Sequence, residues 1–136
     1  MTNGDVGDGG SDNGGSNGDG GSGTNTMIAL EDALALVYDA IALAQKGLRA
    51  NPSKEEGRKL SKTLARLEVE RADLEGLIDA MADAPEAVQP PTPAQVESIA
   101  ALIGEVANLT RANLTATAAL AVASKVLDLA IDITGG

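Results

Sequence analysis

Any chemistry in this chain draws on a short supply of side chains. Its 136 residues include no His and no Cys. The usual neutral-pH base, the thiolate nucleophile and the commonest transition-metal ligands are therefore missing. Carboxylates, hydroxyls and amines remain. Glu75, Asp79 and Asp83 fall four residues apart, which puts them on one helical face where they could hold a divalent cation. A carboxylate metal site in a helical bundle normally adds Glu-x-x-His, and this chain has no His to give it. A solvated acidic face is the simpler reading, with a carboxylate metal binder as one alternative. No Ser–His pair, Gly-x-Ser-x-Gly elbow, P-loop or dinucleotide fingerprint occurs. The expectation is a non-enzymatic protein without a cofactor.

Several polar residues interrupt apolar patterns. Arg71 sits in an otherwise apolar seam. Its stem can lie on the core while its guanidinium reaches Glu68 or Glu75 on the same helix. A sharper reading makes it a buried pairing that fixes register or partner. Thr110, Asn113 and Thr117 place polar groups on an inner stripe. There they either bond to backbone and neighbouring side chains, or form a polar layer where copies meet or a lining for water or an ion.

The first 26 residues are almost all Gly, Asp, Asn, Ser and Thr. Such a stretch cannot bury enough surface to offset its ordering entropy, so a flexible acidic tail is expected over 1–26. Asp5, Asp8, Asp12 and Asp19 stand among glycines, and Gly20–Asn25 faintly resembles the glycine-rich calcium repeat of secreted beta-rolls. That repeat also needs a regular apolar residue, which is missing here.

Net charge is −10, with ten Lys and Arg against twenty Asp and Glu. Nucleic acid and anionic lipid should repel such a chain. There is no basic and apolar leader at the N-terminus, so the default expectation is cytoplasmic, with leaderless export left open. The two most apolar stretches, 27–44 and 114–133, each carry charges, and neither reads as a membrane span.

Hydrophobic residues are 43% of the chain, yet Phe and Trp are absent and Tyr occurs once. The core must be aliphatic. Met27, Leu30, Leu34, Val37, Ile41, Ala44 and Leu48 step by threes and fours, which predicts a first helix over about 27–50. Ile28, Ala35, Tyr38 and Ala42 widen its apolar stripe. Asn51-Pro52 ends it, and Ser53 with Glu56 forms a capping box for a second helix over about 53–83. Its seam runs Gly57, Leu60, Leu64, Leu67, Arg71, Leu74, Ile78 and Met81. Pairs such as Glu55–Lys59 and Arg66–Glu70 lie one turn apart on its outside. A Pro-rich linker covers 84–92. Thr92, Pro93 and Gln95 then cap a third helix that continues to 134, where Gly135-Gly136 suits a stop.

The expected fold is all-α: an antiparallel, coiled-coil-like three-helix bundle, up-down-up, forming a single helical domain over 27–136. A third helix of that length, about 60 Å at 1.5 Å per residue, would overshoot the second. Its last turns would expose Ala123, Val126, Leu127, Ala130, Ile131 and Ile133. Exposed apolar patches mark contacts. The functional expectation is thus an interaction or assembly protein that binds copies of itself or a larger protein partner. A lipid-surface amphipathic protein is the other alternative, opposed by net acidity and the lack of an aromatic belt.

Overall fold

The third helix expected over 93–134 is in fact two helices, and this changes what the C-terminal turns do. The computed structural model describes residues 19–111 and 114–135, with side chains from Asn25 to Leu109 and from Leu114 to Gly135. The helices are α1 (Asp19–Leu48), α2 (Lys54–Asp83), α3 (Pro93–Arg111) and α4 (Ala116–Thr134), with a 3-10 turn at Pro85–Ala87. The fold is all-helical, and no strand occurs among the described residues.

α1 starts earlier than its apolar seam. Residues 19–26, expected in the tail, are helical. Gly20, Gly21 and Gly23 disfavour helix by about 1 kcal/mol each relative to Ala, so these turns extend from the apolar stretch downstream rather than nucleate it. Residues 1–18, with Asp5, Asp8 and Asp12, lie outside the described residues. α1 and α2 form the hairpin expected from Asn51-Pro52, with Asn51 in the left-handed region at φ 51°. The Ser53 capping box is complete: Glu56 N–H donates to Ser53 Oγ at 3.1 Å, and Ser53 N–H donates to Glu56 Oε1 at 3.1 Å. Thr92 and Gln95 repeat the arrangement at the start of α3, at 2.8 and 3.1 Å.

The break after Arg111 has a readable cause. Thr115 is extended at φ −120°, ψ 161°, and its hydroxyl accepts from Ala118 N–H, capping α4. Thr and Asn near this point compete with helix for local backbone bonds. An unbroken helix would leave the apolar stripe of 116–134 in water. Reversing the chain buries it, and each large aliphatic side chain covered contributes roughly 1.5–3 kcal/mol. That outweighs the few helical bonds lost at the turn, worth about 0.5–1.5 kcal/mol each. α4 ends on Gly135 at φ 82°, whose N–H returns to Ile131 O at 2.9 Å.

The helices run up-down-up-down. Gly47 in α1 lies against Ala119 in α4, so the first and last helices are antiparallel neighbours. Gln95 bonds Asp132 and Glu105 bonds Lys125, which sets α3 antiparallel to α4. Glu56 meets Thr117 and Glu70 meets Thr134, which makes α2 and α4 parallel. α1 and α4 each pack on all three other helices, whereas α2 and α3 are not a packed pair. The section is a rhombus with α1 and α4 on its short diagonal. The link 84–92 must cross one end of the bundle to reach α3, and Val88 is buried on the way.

The core follows the seams read from sequence. Leu30, Val37, Ile41 and Ala44 of α1 are buried, as are Leu60, Leu67, Leu74 and Met81 of α2. Leu36 and Leu43 are also buried, which is why α1 needed apolar surface on more than one stripe: it has three neighbours.

Candidate functional site

The exposed C-terminal overhang does not exist. Ala123, Val126, Leu127 and Ala130 are 0, 1, 5 and 2% exposed, and Ile131 and Ile133 are half-buried against the same core. α4 runs back antiparallel to α3 and packs on α1 and α2, so these residues are core within one chain. The other singled-out residues are also placed differently from one another. Thr117 is exposed rather than on an inner stripe, and its hydroxyl donates to Glu56 Oε2 of α2. Asn113 and the side chain of Thr110 lie outside the described residues. Arg71 bridges Glu68 at 3.3 Å and Glu75 at 2.9 Å on its own helix. The Tyr38 hydroxyl donates to Glu75 Oε2 at 2.7 Å, tying α1 to this cluster.

That cluster occupies Glu75, one third of the acidic stripe. Among the described residues no group of three or more His, Cys, Asp or Glu could hold a metal ion. Glu55 pairs with Lys59 at 3.2 Å as its spacing suggests. Arg66 does not pair with Glu70. Glu70 is only 5% exposed, turned toward α4, where the Thr134 hydroxyl donates to it at 2.7 Å.

Two surfaces remain that could do work. On the first, α3 carries more apolar width than the bundle covers. Ile99, Leu102 and Val106 face inward, while Val96 and Ile103 are 45 and 43% exposed. Ala100 and Ala107 are exposed beside them, giving a second stripe stepped four, three, four. α1 presents a matching row, Ile28, Ala35 and Ala42, spaced by seven and exposed, with Ile28 at 51%. Ala42, Ile103 and Ala107 border one groove of about 250 Å³. Because α1 and α3 run parallel, one heptad back brings Ala35 level with Val96. Glu31, Asp32 and Asp39 stand exposed along this row, with Lys46 at its far end.

The second surface is a groove of about 420 Å³ between α2 and α4. Lys59, Lys62 and Arg66 form one wall, Ser124 and Asp128 the other, with Thr63, Leu120 and Leu127 between them. Among the described residues neither Lys62 nor Arg66 is in an ion pair. This is unusual company in a chain of net charge −10. Residues 46–66 hold seven of the ten cations and two of the twenty anions. That run is visible in the sequence, but only the fold sets it beside α4.

Glu56 sits at the edge of this basic region. Its carboxyl is held below its ordinary value of 4.5, first by the Thr117 hydroxyl and then by the Ser53 backbone N–H. Among the described residues no helix is long and apolar enough to cross a membrane. Comparison with protein-family models, with curated proteins and with solved structures finds no match.

Proposed function

We propose that this chain is a non-enzymatic helical assembly protein that self-associates through an apolar helix face. The face is the α1–α3 surface, not the C-terminal turns of α4. One observation carries the reading: Ile28, Val96 and Ile103 stand 51, 45 and 43% exposed in register with exposed alanines on the same two helices. Single exposed apolar residues need no explanation, but a two-helix row with heptad spacing has the form of a helix-packing surface. Alanines let a partner backbone come close, and the larger residues provide the anchors.

The lipid-surface alternative has less support. The acids along the row would oppose anionic headgroups, and no basic polar face accompanies it. Metal-dependent function has no cluster among the described residues to stand on.

The reading is tested by solution mass across a concentration series for the wild type and for Val96→Glu with Ile103→Glu. The wild type should gain mass as concentration rises. The variant, whose changes lie at exposed positions, should stay monomeric with its helicity intact. A wild type that is strictly monomeric at every concentration overturns the proposal.

A further inference from the structure

We propose that the partner of the α1–α3 face is the basic α2–α4 groove of a second copy, so that copies join by unlike surfaces. The inference rests on the self-association reading above. It says which face meets which.

The first argument is sign. The α1 row carries Glu31, Asp32 and Asp39 against Lys46. The groove carries Lys59, Lys62 and Arg66 against Asp128. Two α1–α3 faces brought together would set acid rows against acid rows, and like charges held close across an interface are costly. The same face set on the groove meets opposite charge. Lys62 and Arg66, without ion pairs among the described residues, would find carboxylates there.

The second argument is apolar content. Val69 is 58% exposed and lies one turn along α2 from Arg66. The basic side therefore offers an apolar anchor to a row of Ala, Val and Ile. A purely charged surface would give on-rate and orientation but little affinity.

The third argument is placement. In the rhombus the α1–α3 edge and the α2–α4 edge are opposite sides. A copy engaged through one edge leaves the other free. Such a heterologous contact propagates into an open chain, or closes into a ring. The net charge of −10 opposes crowding of copies. At a Debye length of about 8–10 Å that long-range term is screened, while contacts inside the interface are screened much less.

The experiment uses two full-chain variants, each reversed on one side. Lys62→Glu with Arg66→Glu spoils the groove and keeps the acidic row. Asp32→Lys with Asp39→Lys spoils the row and keeps the groove. All four positions are exposed, and circular dichroism checks that both variants fold. Expected masses by light scattering are growth past the dimer for the wild type, and monomer for either variant alone. Mixing the two variants should restore growth past the dimer, because the intact acidic row of one meets the intact groove of the other, and the reversed row meets the reversed groove with opposite sign again.

Three results overturn the inference. One is a mixture that stays monomeric under conditions where the wild type assembles. Another is a groove variant that assembles like the wild type while Val96→Glu with Ile103→Glu does not. That outcome means like faces pair, and it leaves the self-association reading standing. The third is a wild type that never associates, which ends both.

Discussion

A Cβ built on Gly47 of α1 would lie 2.8 Å from the Cβ of Ala119 in α4. The same position would sit 3.3 Å from both methyls of Leu60 in α2. Three helices therefore meet at one level where a single methyl group does not fit. The neighbour is a Cβ, which cannot swing aside, so relief requires moving a backbone.

Gly47→Ala should accordingly lower stability despite improving helix propensity. The propensity gain is about 1 kcal/mol, and overpacking a close crossing costs about 1–3 kcal/mol. Gly76 provides the contrast, since nothing lies within 4 Å of a Cβ there. Gly76→Ala should raise Tm, whereas Gly47→Ala should lower it by several degrees. Thermal melts of the pair test this, and the same sign at both sites would mean the crossing is looser than its geometry.

Leu127→Glu should unfold the chain rather than merely separate copies. Leu127 is 5% exposed inside the α1–α2–α4 core. An unpaired carboxylate there, added to the lost packing, costs about 4 kcal/mol or more, a large part of the 5–15 kcal/mol typical of a domain. Circular dichroism should show loss of cooperative unfolding. Full helicity with altered mass would instead place Leu127 at a surface.

Acid should weaken the α2–α4 junction through Glu56. Its folded carboxyl titrates below 4.5 because Thr117 and Ser53 donate to the charged form. That contribution is fully present above the ordinary value and is lost as pH falls through the folded one. Glu56→Gln should therefore flatten the loss of stability as pH falls from above 4.5 through the acid range. Urea midpoints across that window measure it; parallel curves for wild type and variant would assign the acid sensitivity elsewhere.

Much of the architecture is legible because its signals are local. Ser53 with Glu56 and Thr92 with Gln95 each specify a helix start within four residues, and both boxes form. Gly135 marks the last stop for the same reason. The turn before α4 is harder to read. Ala and Thr continue a helical pattern straight through 108–118, and the Asn-Leu-Thr repeat at 108–110 and 113–115 has no helical period. Thr115 acts as a cap. What favours the break is the burial of Ala119, Ala123 and Val126 on distant helices, a tertiary gain with no local signature.

Which apolar residues stay exposed is hard to read from sequence for a related reason. Burial of the α4 stripe removes one apolar surplus and leaves another on α1 and α3. Ile28, Ala35 and Ala42 widen the α1 stripe in the sequence, but nothing local says which part of that width the bundle covers. The basic groove depends on the fold as well, since Lys62 and Arg66 acquire Leu120 and Ser124 as neighbours only when α4 runs parallel to α2.

The crossing link at 84–92 carries one more implication. α3 follows that strap, and of the other helices it packs only on α1 and α4. The remaining three helices all pack pairwise on one another, whereas α3 adds Ile99, Leu102 and Val106 from one side. Opening should therefore begin with α3 peeling away as a unit, and its amides should exchange with solvent ahead of those in α1, α2 and α4. Anything that clasps α3 from outside would slow that first step.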